Sequence, residues 1–282
     1  MISTDYAYDV IIPSASRPKH LRTSLLSVFQ YLCPTPSRVF IHDDAVFPGE
    51  QAAIKQVIEE CVPKAVDCVV LFDDPPIFHG PALYWLLKQV RGPYCFYTQD
   101  DWEFLRPVPV LDAMTLMESH DLNQIRFNKR ETMPYKGEGE TRWYKKEVYF
   151  PIFGSYRVVS APDGTHGQMS VQPLTLSDHW YFQASVWRVA HILPVVEWWY
   201  EHALGSFRKA SEIKINWVMN GEIEKARHVP IACPPLGTPY GNHEARLRYQ
   251  KTFIWGPIGH PPYIRHTATD PSEFARKGER LG

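Results

Sequence analysis

Over its first hundred residues the chain alternates short apolar runs with stretches whose apolar residues recur every three to four positions. Tyr8-Asp9-Val10-Ile11-Ile12, stopped by Pro13, is the continuous kind of run that fills a strand buried on both faces. Pro18 then opens a segment in which Leu21, Leu25, Val28, Phe29 and Leu32 share one helical face. Val39-Phe40-Ile41 predicts a second strand, Ile54, Val57, Ile58, Cys61 and Val62 a second helix, and residues 66–72 a third strand. A helix over residues 80–92 and a strand over 94–98 complete a βαβαβαβ order. That order specifies an α/β fold with a mostly parallel central sheet flanked by helices. Three of the strands run into acidic residues: His42-Asp43-Asp44, Asp73-Asp74 and Gln99-Asp100-Asp101. Asp favours turns after strands for its own reasons. Three successive strands ending in acid, the last in a pair, point instead to a ligand in the crevice outside the strand ends.

Several functions are excluded by what does not follow those strands. No GxGxxG follows the first strand, no GxxxxGK[ST] occurs, and no GxSxG elbow occurs. A Rossmann dinucleotide site, a P-loop and an α/β-hydrolase are therefore not expected. The net charge of −1 lacks the basic field that nucleic acid would require. Residues 1–106 carry 9 basic and 13 acidic residues and the remainder 21 and 18, a weak asymmetry. The five cysteines, Cys33, Cys61, Cys68, Cys95 and Cys233, show no CxxC spacing and read as buried free thiols in a reducing compartment. The polar first eight residues do not resemble a signal peptide, and no apolar run reaches the ~20 residues of a membrane span. A cytoplasmic protein is expected. The 25 prolines imply long, turn-rich loops.

Val10-Ile11-Ile12-Pro13-Ser14-Ala15-Ser16-Arg17-Pro18, with His20-Leu21 and Ser24-Leu25 after it, is similar to the opening strand of family-2-like glycosyltransferases of the GT-A fold. Ile41-His42-Asp43-Asp44 looks like their second strand, and Gly80-Pro81-Ala82 like the start of their third helix. Residues 96–104, from Phe96 through Gln99-Asp100-Asp101-Trp102, resemble their DxD-type segment. The resemblance covers roughly residues 8–110. It implies a nucleotide-diphosphate sugar donor, with Pro13, Ser14 and Arg17 beside base and ribose and Asp43 on the base. It implies Asp101 as direct ligand of Mn2+ or Mg2+, with Asp100 helping through ribose or water. Hard divalent ions prefer carboxylate oxygen, and the departing diphosphate needs its charge stabilised. Gln99 stands where many relatives carry an acid, so the motif here is QDD.

The second half is less regular. Residues 124–130, 148–150 and 156–159 read as short antiparallel strands around a glycine-bearing loop at 137–139. Ser177-Asp178 signals a helix start, with a helical stretch over 184–192. In the resembling enzymes this segment floors the donor sugar, so Asp178, His179 and Trp180 are open both to capping and to sugar contact. Residues 197–201 read as a ring-bearing helix, open to acceptor stacking but read first as packed into the core. Ser211 can cap a further helix that places Glu212 in its first turn. Inverting GT-A enzymes place a general base at such a position, so the resemblance makes Glu212 that base, with Asp178 in reserve. Residues 234–282 read as a loop-like flap in which His243 and His260 are candidate third metal ligands and Arg246, Arg248 and Arg265 candidate diphosphate contacts.

The expected organisation is a donor-binding half over residues 1–110 and an acceptor-binding half over 111–282, packed as a single GT-A domain. The expected partners are a nucleotide-diphosphate sugar donor and a carbohydrate or other hydroxyl acceptor, with no nucleic acid and no transmembrane segment. Two other readings stay open: a non-catalytic sugar- or nucleotide-binding protein on the same fold, and a sugar-nucleotide nucleotidyltransferase. The second lacks the glycine-rich basic loop such enzymes carry after the first strand.

Overall fold

The computed structural model describes residues 8–44, 49–73, 77–129, 156–158, 169–171, 175–177, 182–202, 252–255 and 261–267. In chain order the elements are β1 (Asp9–Ser14), α1 (Pro18–Tyr31), β2 (Leu32–Cys33), β3 (Arg38–Asp44), α2 (Glu50–Cys61), β4 (Asp67–Asp73) and α3 (His79–Gln89). There follow β5 (Tyr94–Tyr97), β6 (Trp102–Phe104), β7 (Val108–Pro109), α4 (Val110–His120) and β8 (Gln124–Phe127). The remainder is β9 (Tyr156–Val158), β10 (Met169–Val171), β11 (Thr175–Ser177), β12 (Ser185–Arg188), α5 (Val189–His202), β13 (Thr252–Trp255) and β14 (Ile264–His266).

One sheet of eight strands, in the order β11-β13-β8-β12-β5-β1-β3-β4, forms the centre. β5, β1, β3 and β4 run parallel to one another. β12 enters antiparallel between β5 and β8, and β13 lies parallel to β8. Alternation within the strands splits the core into two layers. Val10, Ile12, Val39, Ile41 and Phe96 face α1, α2 and α4 on one side. Ile11, Phe40, Cys95, Tyr97 and Trp187 face α3 and α5 on the other. β1, β3 and β5 are covered on both faces, which is why they read as unbroken apolar runs, while β4 at the sheet edge is only partly buried. Every strand and helix read in residues 8–98 is present within a few residues.

Two readings downstream change. Residues 185–188 form a strand, not the start of a helix. Ser185, Val186 and Trp187 are buried on both sides by pairing with β5 and β8, and this tertiary pairing overrides the local periodicity. The helix begins only at Val189, and Trp199 within it is buried in the core as expected. The C-terminal stretch contains β13 and β14 where a loop was expected.

Of the four described cysteines, all free thiols, Cys61 and Cys95 are buried and Cys33 and Cys68 are half-buried, while Cys233 lies outside the described residues. Cys95 is fully buried and its thiol is pushed well above the usual range by burial, while burial pushes Cys68 up to about 11. A thiol reacts as the thiolate. Alkylation of the folded protein at pH 8 should therefore leave Cys95 and Cys68 unmodified, and Cys68 should begin to react only as pH approaches 11. Mass mapping after iodoacetamide treatment, with an unfolded control, checks this; prompt modification of folded Cys95 would contradict the packing.

Candidate functional site

The C-terminal ends of β1, β3 and β5 meet at one edge of the sheet, and the turn from β1 into α1 is built across them. Ser16 in that turn has a φ of 52°. This left-handed conformation is uncommon outside glycine. It is held in place by Asp43, whose Oδ2 accepts from the Ser16 N–H at 3.0 Å and whose Oδ1 accepts from Ser16 Oγ at 2.9 Å. Ser14 Oγ donates to Asp43 Oδ2 at 2.7 Å. Asp43 is 0% exposed, so its carboxylate holds the Ser14–Ser16 turn in shape. Asp44, next along, accepts from the Ile77 and Phe78 N–H groups at 2.9 and 3.1 Å and fixes the entry to α3.

The reversal at Ser16 places Arg17 at the N-cap of α1, with Pro18 as the first helical residue. Pro18 lacks an N–H that this position would leave unpaired anyway. The Arg17 side chain makes no cap contact and crosses to the end of β5. Its Nε donates to Asp100 Oδ2 at 2.9 Å, and its Nη2 bonds both Asp100 Oδ1 and, at 2.9 Å, Asp101 Oδ2. Asp100 also accepts from the Ala15 N–H at 3.2 Å. One guanidinium thus spans two carboxylates that are 1% and 5% exposed.

A second layer sets the height of this segment. Ser24 of α1 donates to the Gln99 carbonyl at 3.1 Å, and Ser27 Oγ accepts from the Phe104 N–H at 3.0 Å. Gln99 points its amide at the Tyr97 hydroxyl, 2.7 Å away, and His79 Nε2 lies 3.2 Å from the same oxygen. On the far side, β6 pairs antiparallel with β14, which brings His266 opposite Trp102. His266 Nε2 lies 3.3 Å from Asp101 Oδ2, and the Thr267 N–H donates to the Asp101 carbonyl at 2.8 Å.

The two neighbouring carboxyls are driven apart. Burial pushes Asp100 up against the opposing charge of Arg17, and the charge of Asp101 adds to the rise. Burial acts upward on Asp101 too, but the His266 contact and the Arg17 charge outweigh it and hold that carboxyl below its usual range. Asp101 is therefore the member of the pair that ionises first as pH rises. Burial works against the charge on Arg17, but its two carboxylate partners dominate and keep the guanidinium protonated.

The two carboxylates differ in how fully their oxygens are engaged. Asp101 Oδ1 is buried and accepts no hydrogen bond among the described residues, whereas both oxygens of Asp100 are engaged. A single orphaned carboxylate oxygen fits a hard divalent ion. Among the described residues, no group of three or more His, Cys, Asp or Glu gathers to form a complete cage.

Pro13, Ser14, Arg17, Asp43, Asp100 and Asp101 thus come together at one sheet edge. Asp178, His179, Trp180, Glu212, His243 and His260 lie outside the described residues, as do Arg246 and Arg248. The sequence reading missed Ser16, His266 and Thr267. A serine carries no signal for a left-handed φ, and β14 reaches Asp101 by pairing with a strand far away in sequence, which local periodicity does not register. No helix among the described residues is long and apolar enough to cross a membrane.

The eight-stranded sheet with helices on both faces is the fold of the GT-A nucleotide-diphospho-sugar transferases. Among solved structures, 98% of the chain aligns with S. aureus TarS 1-349 in complex with UDP, at a TM-score of 0.51 and 13% identity, covering 64% of that chain. The mannosyltransferase PcManGT from Pyrobaculum calidifontis, in complex with GDP-Man and Mn2+, matches 45% of this chain and 37% of its own, at 16% identity and a TM-score of 0.39. The 4-diphosphocytidyl-2C-methyl-D-erythritolsynthase from Anaerococcus prevotii matches over 97% of this chain and 96% of its own, at 9% identity and a TM-score of 0.45. The chain spans less than two thirds of the length of the first two. No protein-family model and no curated protein matches it. At these identities the likeness is one of fold.

Proposed function

We propose that the chain is a glycosyltransferase that moves a sugar from a nucleotide-diphosphate donor to an acceptor hydroxyl, with inversion at the anomeric carbon. The observation that carries this reading is the convergence of Ser14, Arg17, Asp43, Asp100 and Asp101 at the strand ends of a GT-A sheet. The likeness in fold to TarS, described with UDP, supports it. The turn at 13–17, shaped by Asp43, is the surface on which the base and ribose would lie. Arg17 holds Asp100 and Asp101 side by side. Asp101 Oδ1 would hold Mn2+ or Mg2+, with His243 and His260 as further candidate ligands. The bound ion would neutralise the diphosphate as leaving group.

Glu212 takes the proton of the acceptor hydroxyl, with Asp178 as the reserve base, and the freed oxygen attacks the anomeric carbon while the bond to the diphosphate breaks. His179 and Trp180 would meet the sugar ring. Residues 1–110 would serve the donor and 111–282 the acceptor.

A thermal-shift panel of nucleoside diphosphates and sugar nucleotides, each with and without Mn2+, tests the reading. A ligand at a hundredfold excess over its Kd stabilises by about 2.7 kcal/mol. The expected result is a metal-dependent shift for one nucleotide that Asp101→Ala abolishes. A panel without any shift would remove the donor site. The neutral Gln99, engaged with Tyr97, favours one other reading, a binding protein without turnover. It predicts the same shift but no release of nucleoside diphosphate in the presence of any hydroxyl acceptor.

A further inference from the structure

Beside the carboxylate pair lies a cavity of about 510 Å³, lined by residues of the paired strands β6 and β14 and of the segments next to them. That volume falls within the range of small-molecule sites, roughly 300–1,000 Å³. Its wall joins apolar surface from Leu105 and Ile264 to Trp102, Lys129, Arg265 and His266. Lys129 Nζ lies 5.9 Å from the centroid of the Trp102 ring, and the His266 ring meets the same indole edge-on at 4.9 Å. Arg265 bonds Glu103 through Nε and Nη2, which are two of the three nitrogens of its fork. No carboxylate appears among the described residues that line the cavity. The Trp102 indole N–H, buried, has no acceptor among the described residues. His266 forms the partition: it lines the cavity and sits 3.3 Å from Asp101.

We propose that this cavity binds the acceptor, and that the acceptor is a hydroxyl compound carrying a phosphate or a carboxylate. The proposal rests on the transferase reading for the word acceptor, but the chemistry of the cavity stands by itself. A flat ring with apolar neighbours suits the carbon skeleton of a sugar or polyol. Lys129 adds an ammonium to the cavity wall, and Arg265, two of whose nitrogens engage Glu103, adds its third nitrogen. A planar guanidinium and a flexible ammonium together suit a phosphate or carboxylate group. A ligand seated here lies one side chain, His266, away from Asp101.

The test uses the full chain at low ionic strength, where such contacts are least screened. Binding of glucose 6-phosphate, glucuronate and glucose is measured by calorimetry on wild type and on Lys129→Ala, Arg265→Ala and the double variant. UDP and GDP with Mn2+ are titrated into the same preparations. The expected result is binding of glucose 6-phosphate or glucuronate at least tenfold tighter than glucose, weakened tenfold or more in the double variant, with nucleotide binding unchanged in Lys129→Ala. Which anion binds better names the charged group. Equal affinity for glucose, no binding of either anion, or anion binding untouched by the double variant overturns the proposal. If nucleotides fail to bind while the anions bind through Lys129 and Arg265, the donor reading falls and the cavity remains a site for an anionic sugar.

Discussion

Replacing Arg17 with Ala should destabilise the fold by about 3–5 kcal/mol, the range seen when one partner of a buried ion pair is removed. Asp100 and Asp101 are both buried, and Arg17 is the cation that touches both. Without it two adjacent carboxylates keep their burial and lose their shared counter-charge. His266 reaches only one oxygen of Asp101. Urea unfolding of Arg17→Ala against wild type measures the effect. Arg17→Lys should recover only part of it, because an ammonium restores the charge but not the fork that engages three carboxylate oxygens. The same variant reads out cation binding. With the guanidinium gone, Mn2+ should stabilise Arg17→Ala more than it stabilises wild type. A loss below about 1 kcal/mol, within the range of an exposed pair, would mean that Arg17 does not hold the two acids.

Trp187→Ala should cost about 3–5 kcal/mol for a different reason, the cavity left by a large buried ring. Trp187 is 0% exposed, stacks on Tyr97 with centroids 4.0 Å apart and planes 11° apart, and donates its indole N–H to Ser185 Oγ at 2.7 Å. Tyr97 in turn receives the Gln99 amide. The loss should therefore reach the carboxylate segment through Tyr97. Thermal unfolding gives the stability change, and nucleotide titration shows whether the site loosens with it. Trp187→Phe, which keeps a ring against Tyr97, should return most of the stability. A Trp187→Ala protein that melts with wild type would place the indole outside the core.

Residues 8–104 were legible because β1, β3 and β5 are covered on both faces and the helices on one. Burial there writes itself into the sequence as unbroken apolar runs and as repeats at helical spacing. The acids at the strand ends were legible for the complementary reason, since nothing in the core asks for them. Arg17 was read as a neighbour of the ribose, and its part as the bridge between Asp100 and Asp101 was not seen. That bridge depends on the φ of Ser16 and on a crossing of the sheet edge, neither of which leaves a pattern in local sequence. Residues 185–188 misled for a related cause. Val186 and Trp187 face opposite layers, and a four-residue strand between two others is too short for its alternation to stand out against the helix that follows.

The insertion of β12 between β5 and β8 bears on how the chain is made. β5 is complete at Tyr97, but the strand that covers its outer edge begins at Ser185. At the 5–20 residues per second of synthesis, that edge waits roughly 4–18 s for its partner. Throughout that interval Tyr94-Cys95-Phe96-Tyr97 is an apolar edge strand, the kind of template on which other chains pair. The carboxylates that would meet a donor sit at the end of this same strand. The first hundred residues hold the carboxylate pair and the turn that braces it, yet their sheet closes only when the second half of the chain supplies its middle strand.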